Sequence, residues 1–360
     1  MDKRVKRPPK VKVAAVQAAS VLCDAPVWFD VAATLEKGIA LFEEAAANGA
    51  NLVVFPETWL PGFPYVSYDL ADVGPFRDIW AEYLLNSVEV PGPEIDALCW
   101  AARRAGAMLV MGINERDRIY PGRMHNSVVY IDENGQLLGV HRKICPTLNE
   151  RLFHTPGDGG KNLDTVFQTS SGKVGGSICG EHAQLLQIYR WSMLGVQIHC
   201  SLWPGWRELT NTVDMLTRHA CYSMHAFGVS ASAYFPEESR PRNFLANSMF
   251  NTPGRFRGGS AIVSPMGINV VGPVYDQETI VYGDIDLIEC ERSRHAVSLS
   301  GIYNRWDILN VNIRAEEYAP FVHRKTGVTE CKTREQLGEG SDLGRENRGI
   351  FGSVSLEQDD

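Results

Sequence analysis

Short apolar segments alternate with helix-like segments along most of this chain, and no other sequence feature constrains its fold as strongly. Residues 52–55, Leu-Val-Val-Phe, form a wholly apolar run, as expected for a strand that is buried on both faces. In the segment before it, apolar side chains recur at helical spacing, and Asn48-Gly49 marks the helix end. Further strand-like runs cover 11–17, 108–113, 174–179, 196–202 and 228–233, with helix-like stretches at 94–106, 185–194 and 210–227.

Two tight turns add hairpins to this alternation. Asp132-Glu-Asn-Gly135 separates the apolar runs 128–131 and 137–140, and Pro265-Met-Gly267 separates 260–264 from 268–271. Crossovers and hairpins together predict mixed sheets covered by helices, in an α/β layered domain that spans residues 1–323. Residues 324–360 are poor in apolar side chains, so we expect a C-terminal tail there that is flexible or docked on a partner.

The composition excludes several classes of protein. The chain has 35 basic and 43 acidic residues and a net charge of −8, which disfavours a general nucleic-acid binder. No apolar run approaches the roughly 18 residues of a membrane span, and the basic start of the chain lacks the apolar stretch of a secretory signal. The eight cysteines form no C-x-x-C pair and are too sparse for a disulfide scaffold. We expect a cytoplasmic protein with free thiols.

Neither a metal nor a cofactor is predicted. The histidines are scattered, without a metal-ligand spacing such as H-E-x-x-H. The glycine-rich stretch 157–160 matches neither the phosphate-loop pattern nor the dinucleotide pattern.

Cys179 is the first candidate for chemistry. It ends the apolar run 174–178 and precedes Gly180, Glu181, His182 and a helix-like stretch. A turn from strand to helix exposes a side chain and directs amide N–H groups at it, and both effects favour a thiolate. The residues alone leave two interpretations open, a reactive nucleophile and a buried structural cysteine.

Glu57 is the second candidate, because it follows the buried run 52–55 at the edge where α/β sheets place their ligands. Aromatic neighbours such as Phe63 predict an apolar, tight surrounding. Partial desolvation should raise the pKa of Glu57, which suits a general base. A carboxylate that only caps the next turn is the alternative.

Three more side chains are candidates for the site only if they lie near Cys179 and Glu57. Lys143 follows a hairpin strand, where a lysine is usually solvated, but near Cys179 its ammonium would stabilise negative charge. Glu150 alone is an ordinary surface glutamate. His182 could act as a base, although a histidine three residues from a cysteine seldom aligns its ring on the sulfur. We favour a structural or pocket-lining role for His182.

The segments that hold these candidates resemble, in order, the nitrilase superfamily of carbon–nitrogen hydrolases. The resemblance runs from about residue 11 to about residue 312, without large gaps. One such segment would be weak support, but six in the right order are specific. The segments are 15–17, 53–57 with 60–64, 142–151, 175–182, 259–267 and 303–307.

The resemblance implies a fold, a catalytic set and an assembly. The fold would be a four-layer α-β-β-α sandwich. Cys179 would be the nucleophile, Glu57 the general base and acid, Lys143 the charge stabiliser, and Glu150 a supporting second carboxylate. Members of the family associate, so we expect a homo-oligomer, from a dimer up to a spiral, with the tail 324–360 involved.

The resemblance is strongest to nitrilases proper, which hydrolyse a small-molecule nitrile to a carboxylic acid and ammonia. Two departures put the substrate range in question: Gly180 stands where these enzymes usually carry Trp, and Phe153-His-Thr-Pro-Gly-Asp158 replaces their usual Trp-Gly pair. The predicted substrate-binding residues are Phe63, Gly180, Glu181, His182, Trp203 and Pro204.

Other functions fit the same residues. An amidase or an N-carbamoyl hydrolase would use the same catalytic set, and ammonia release from a nitrile and from its amide separates them. A non-catalytic assembly protein on the same fold is an alternative of a different class, which selective labelling of Cys179 by a thiol reagent would contradict. A metal-dependent hydrolase is a more distant alternative, testable with a chelator.

Overall fold

Two six-stranded sheets form the centre of the molecule. The computed structural model describes residues 7–24, 28–65, 73–241, 252–295, 297–313, 322–325 and 328–331. The strands are β1 (Lys10–Gln17), β2 (Leu52–Val54), β3 (Met108–Arg116), β4 (Met124–Ile131), β5 (Leu137–Arg142), β6 (Val166–Thr169), β7 (Gly172–Ile178), β8 (Ile198–Trp203), β9 (Phe227–Ser232), β10 (Gly258–Val263), β11 (Asn269–Tyr275), β12 (Thr279–Asp286), β13 (Val322–Lys325) and β14 (Val328–Cys331). The helices are α1 (Val31–Ala47), α2 (Val73–Leu85), α3 (Pro93–Ala105), α4 (Leu185–Leu194), α5 (Thr210–Met224) and α6 (Ile288–Ser293).

Both sheets are mixed. The first has the order β12-β1-β2-β3-β4-β5, and the second has the order β11-β10-β9-β8-β7-β6. In each, three central strands run parallel, β1-β2-β3 and β7-β8-β9, and antiparallel hairpin strands extend the sheet. The predicted combination of crossovers and hairpins therefore builds both halves of the protein.

The alternation of side chains along β1 shows how the layers are stacked. Val13 and Ala15 belong to the core between the two sheets, whereas Ala14 and Val16 belong to a second core with Phe42 of α1. Because side chains alternate across a strand, a strand with layers on both faces must be apolar throughout. This is why the run 52–55 has no polar face.

Helices cover both outer faces. Helices α1 and α3 pack on the first sheet, and α4 and α5 pack on the second. The ends of α3 follow local sequence rules: Pro93 occupies the first turn, and Gly106 closes the helix with a left-handed φ of 64°. The order helix, sheet, sheet, helix confirms the predicted four-layer sandwich.

The predicted boundary between domain and tail falls at residue 324. Strands β13 and β14 pair antiparallel across it. The rest of the predicted tail lies outside the described residues, so the division into 1–323 and 324–360 stays a prediction.

Candidate active site

The ends of three strands bring the predicted catalytic side chains together. Glu57 follows β2, Lys143 follows β5, and Cys179 follows β7, so the first two come from one sheet and the third from the other. Nζ of Lys143 lies 2.8 Å from Oε1 of Glu57 and 2.7 Å from Oε2 of Glu150. Cys179 interacts electrostatically with all three groups. Cys179 is 8% exposed and the other three are at most 2% exposed, so Cys179 is the most accessible residue of the four.

A glycine in the neighbouring strand admits the Glu57 segment. A Cβ added at Gly112 of β3 would stand 2.1 Å from the Pro56 carbonyl oxygen and 2.7 Å from the Thr58 nitrogen. Only a bare backbone therefore allows the chain that carries Glu57 to cross β3 this closely. Thr58 itself has a positive φ of 42°, which is uncommon for a residue with a side chain.

Glu57 is an incompletely satisfied carboxylate. Its Oε1 accepts hydrogen bonds from Nδ2 of Asn126, at 2.7 Å, and from Lys143. Its Oε2 is buried and has no partner among the described residues. Burial raises the pKa of Glu57 to about 8, with Lys143 acting against it and Glu150 adding to it. The expected rise in the pKa of Glu57 is therefore present, and the free oxygen is a place for a proton.

Lys143 and Glu150 hold opposite charges in the same dry site. Burial would raise the pKa of Glu150, but Lys143 outweighs it and the net pKa is lowered. Burial would lower the pKa of Lys143, but Glu150 and then Glu57 outweigh it and hold the pKa well above its ordinary value. The Thr147 N–H also donates to Glu150 Oε2, at 2.7 Å, and fixes this carboxylate on its turn. Glu150 is thus an ionised support for the ammonium.

Cys179 sits in a strained turn and holds its proton at rest. Its φ is +49°, and such strained residues cluster at functional sites. Burial raises the pKa of the thiol well above its ordinary value, and the Glu57 carboxylate adds to the rise, against Lys143 and the Gly180 N–H. The turn was expected to favour a thiolate. That expectation is wrong for the resting site, because desolvation outweighs the nearby ammonium and amide.

Glu181 ties the segment of Lys143 to the segment of Cys179. Its carboxylate accepts from the Ile144 N–H at 2.7 Å, from the Ile178 N–H at 2.9 Å, and from Nε2 of His141 at 2.9 Å. The residue is 1% exposed. The geometry therefore gives Glu181 a positioning role. Both of its carboxylate oxygens already accept hydrogen bonds from the protein, which disfavours the substrate contact predicted for it.

His182 lies beside Cys179 but faces the backbone of that residue. Nδ1 of His182 is 2.8 Å from the Cys179 carbonyl oxygen, and the ring stacks on Trp203 at 4.5 Å between ring centroids. His182 and Trp203 are buried, as is the adjoining Pro204. This contact with the carbonyl, rather than with the sulfur, disfavours His182 as the base.

Gly180 is the point where the turn of Cys179 meets the turn of Glu150. A Cβ added at Gly180 would stand 2.9 Å from Oγ1 of Thr147. Thr147 is the residue whose N–H donates to Glu150. The glycine at this position therefore matches a close contact, and a larger side chain would push the two turns apart.

Phe63 belongs to an aromatic cluster that borders the carboxylates. Its ring centroid lies 5.3 Å from that of Tyr65 and 5.5 Å from that of Trp206. Tyr65 interacts electrostatically with Glu57. Phe153, from the segment that departs from the usual pattern, packs its ring against Tyr83 in the same cluster, at 5.3 Å. The apolar side of the site is therefore built from aromatic rings.

Sequence reasoning did not find three buried residues of the site. Asn126 contacts Glu57, His199 contacts His182 with 3.2 Å between the two Nε2 atoms, and His154 lowers the pKa of Glu150. Asn126 and His199 lie within β4 and β8, which are buried along their whole length. A polar residue inside an apolar strand was the available signal.

The remaining observations concern groups outside this cluster. A recess of about 490 Å³ lies between β5 and β6, and its lining includes Arg142 but none of the four predicted catalytic residues. Among the described residues, no cluster of three or more His, Cys, Asp and Glu side chains could hold a metal ion. Likewise, none of the described helices has both the length and the apolar character of a membrane span.

Comparisons with known proteins match most of this chain to one family. A family model described as carbon-nitrogen hydrolase matches residues 12–295. The aliphatic nitrilase of Sinorhizobium fredii is 35% identical over 321 residues, which cover 88% of this chain and 99% of that protein. A bifunctional nitrilase/nitrile hydratase of Nicotiana tabacum is 31% identical over 320 residues, which cover 87% of this chain and 88% of that protein.

Solved structures share the fold at lower identity. A carbon-nitrogen hydrolase from Helicobacter pylori has a TM-score of 0.62 and 22% identity, and the match covers 79% of this chain and 92% of that chain. An amidase from Nesterenkonia sp. has a TM-score of 0.56 and 16% identity, with 81% and 96% covered. From the family match and the curated relatives, the chain belongs to the nitrilase branch of the carbon–nitrogen hydrolase family and is a hydrolase that acts on carbon–nitrogen bonds.

Proposed function

We propose that the protein hydrolyses an organic nitrile to the carboxylic acid and ammonia, with Cys179 as the nucleophile. One observation carries the proposal. The Glu57 carboxylate, buried beside Lys143 and the Cys179 thiol, keeps one oxygen without a partner among the described residues. That oxygen can receive the thiol proton and return it, which is the task of a general base and acid in this chemistry. The more similar relatives named above are called nitrilases.

The first half of the reaction forms a thioimidate. Glu57, in its ionised form, accepts the thiol proton as the sulfur attacks the nitrile carbon and a C–S bond forms. The protonated Glu57 then gives a proton to the nitrile nitrogen. Lys143 and the Gly180 N–H stabilise the negative charge that develops on the way.

The second half consumes two waters. Glu57 takes a proton from the first water as it adds to the thioimidate carbon, and ammonia leaves after the nitrogen is protonated. A thioester remains on Cys179. A second water, activated in the same way, releases the carboxylic acid and restores the thiol. If the first tetrahedral species expels the thiolate instead of ammonia, the product is the amide.

The surroundings of the site support an apolar substrate. The aromatic cluster that includes Phe63 and Tyr65 borders Glu57. An aryl or arylalkyl group fits such a wall through ring contacts. Phe63, Gly180, His182, Trp203 and Pro204 stay the proposed lining of the substrate pocket.

The decisive experiment compares a nitrile with its own amide. Purified protein is incubated with phenylacetonitrile or with phenylacetamide, and ammonia release is measured. We expect release from the nitrile, none from Cys179→Ala, and normal release from the control Cys99→Ala, which alters a half-buried thiol of α3. Turnover of the amide alone would establish an amidase, and turnover by Cys179→Ala would exclude this nucleophile.

We also propose a cytoplasmic homo-oligomer. Seven of the eight cysteines, those other than Cys331 of β14, are free thiols, which suits a reducing compartment. Leu185 and Leu186 of α4 are 64% and 67% exposed, and Trp306 beside this helix is 52% exposed. Large apolar side chains in such a group are typical of a surface that another subunit covers. Light scattering of the full chain measures the subunit number.

A further inference from the structure

A pair of buried histidines, His182 and His199, lies directly behind the nucleophile turn. Both side chains are fully buried, and their Nε2 atoms are 3.2 Å apart. Nδ1 of His182 lies 2.8 Å from the carbonyl oxygen of Cys179. The mechanism described above gives neither ring a task, so their arrangement needs its own explanation.

The contacts determine where each ring carries its proton. A carbonyl oxygen only accepts, so Nδ1 of His182 must be the protonated nitrogen that donates to Cys179. Burial lowers the pKa of His182 to about 4 and holds the pKa of His199 well below its ordinary value, so both rings are neutral. A neutral His182 with its proton on Nδ1 has a bare Nε2. His199 must then donate to it from a protonated Nε2.

The strand β8 holds both rings in place. His199 and Trp203 stand on the same face of β8, four residues apart, and Cys200 and Leu202 point to the core between the sheets. Trp203 stacks on His182 with an interplanar angle of 24°, and His199 meets the same ring nearly edge-on at 80°. His182 therefore has little freedom to turn away from the Cys179 carbonyl.

The direction of that carbonyl controls the reacting groups. In a trans peptide the C=O of Cys179 and the N–H of Gly180 lie in one plane and point in opposite directions. The Gly180 N–H acts on the Cys179 thiol and lowers its pKa, so it lies on the side where negative charge would develop. A donor that fixes the carbonyl therefore also aims the amide, and it holds Cys179 at its strained φ of +49°.

We propose that His182 and His199 act together as positioning residues: His199 sets the tautomer of His182, and His182 holds the Cys179 carbonyl so that the sulfur and the Gly180 N–H face the substrate. The inference rests on the proposed role of Cys179 as nucleophile. Neither histidine exchanges a proton with the substrate in this arrangement.

Two substitutions at His199 separate positioning from packing. His199→Gln keeps an N–H donor near the position of Nε2, whereas His199→Leu has similar bulk and no donor. We expect His199→Leu to lower kcat for phenylacetonitrile about 10- to 100-fold. KM should stay within about threefold. His199→Gln should restore most of kcat, and the control His219→Leu, at an exposed position of α5, should match the unaltered protein.

A second readout does not depend on the substrate. Alkylation of Cys179 by iodoacetamide, followed by mass spectrometry, should be slower in His199→Leu and restored in His199→Gln. If no nitrile is hydrolysed but the alkylation rates change as expected, the proposed function is wrong and the positioning role of the two histidines is still supported. If the two variants lose kcat and alkylation rate equally, or if only KM changes, the proposed positioning role of the two histidines is wrong.

A third measurement reads the protonated nitrogen of each ring in the unaltered protein, and variants serve only to assign the signals. With ¹⁵N-labelled histidine in the full chain, NMR should show His182 protonated on Nδ1 only and His199 protonated on Nε2 only. Spectra of His182→Asn and His199→Gln assign the signals. Protonation of His182 on Nε2 would contradict the proposal, whatever the activity of the variants.

Discussion

Two buried carboxylates of the candidate site, Glu181 and Glu57, differ in how many hydrogen-bond donors the protein gives them. Glu181 accepts two backbone N–H groups and the ring of His141. Burial would raise its pKa, but His141 and these donors outweigh it, and the pKa is lowered. Glu57 accepts on one oxygen only, and its pKa rises to about 8. The same side chain is thus held ionised where donors saturate it, and keeps its proton to higher pH where they do not, which suits the proton transfer proposed for Glu57.

The sharpest way to break this comparison is Glu57→Gln, which keeps the volume and removes the exchangeable proton. We expect kcat to fall about 10²- to 10⁴-fold, as for loss of a general base. The melting temperature should hold or rise, because the variant no longer buries a carboxylate that prefers to be neutral. Ammonia release and thermal unfolding measure the two effects. A large loss of stability with normal turnover would reverse the roles assigned here.

Glu181→Gln should do the opposite. Removing the charge of Glu181 leaves the His141 imidazolium buried without a counterion. In addition, one of the N–H groups that donate to Glu181 would then face the N–H of the new glutamine amide. We expect a loss of about 3–5 kcal/mol in the free energy of unfolding. Urea denaturation measures it, with Glu289→Gln as the control at a partly exposed position. An unfolding free energy equal to that of the control would show that Glu181 is not an anchor.

The two carboxylates should also divide the pH dependence between them. The folded-state pKa of Glu57 is raised, so its contribution to stability is complete below about pH 4.5 and is lost as the pH rises through about 8. The pKa of Glu181 is lowered, so its contribution is present above about pH 4.5 and is lost in acid. Because the base must be ionised, kcat/KM should increase with pH up to about 8. Melting curves and rates between pH 5 and 9 test this. A rate that is flat below pH 7 would be inconsistent with Glu57 as the base.

The smallest expected effect concerns Gly180, which lies where the turn of Cys179 and Glu181 contacts the turn of Thr147. Gly180→Ala places a Cβ 2.9 Å from Oγ1 of Thr147, and such overpacking should cost about 1–3 kcal/mol of unfolding free energy. In a Thr147→Ala background the same change should cost less, since the obstructing oxygen is gone. A double-mutant cycle measures the coupling. Purely additive losses would mean that the two turns do not press on each other.

The sequence predicts the positions of the strands and helices better than it predicts which residues contact each other in the folded protein. Strand-like runs and helices fall close to their observed places, because their apolar periodicity reflects burial. The predicted helix 210–227 shows the limit of this: it ends at Met224, where His225 adopts a left-handed φ of 52°, and Phe227 already begins β9. Only glycine commonly marks such an end, so a histidine gave no stop signal.

The site could be assembled from the sequence only through the family resemblance. Glu57 and Cys179 each end a buried strand, which suggests function one residue at a time, but they belong to different sheets. Periodicity within a strand does not specify how two sheets stack. Asn126 and His199 illustrate a further gap, because a polar residue in a buried strand signals a partner without naming it.

The resting proton on Cys179 has a consequence for survival of the protein under oxidative stress. Peroxide reacts with thiolates far faster than with thiols, and the burial of this sulfur keeps the thiolate scarce until a substrate arrives. In its proposed role as nucleophile, Cys179 should therefore resist sulfenic acid formation between catalytic cycles. The desolvation that raises its pKa would then protect the same sulfur that the proposed reaction uses.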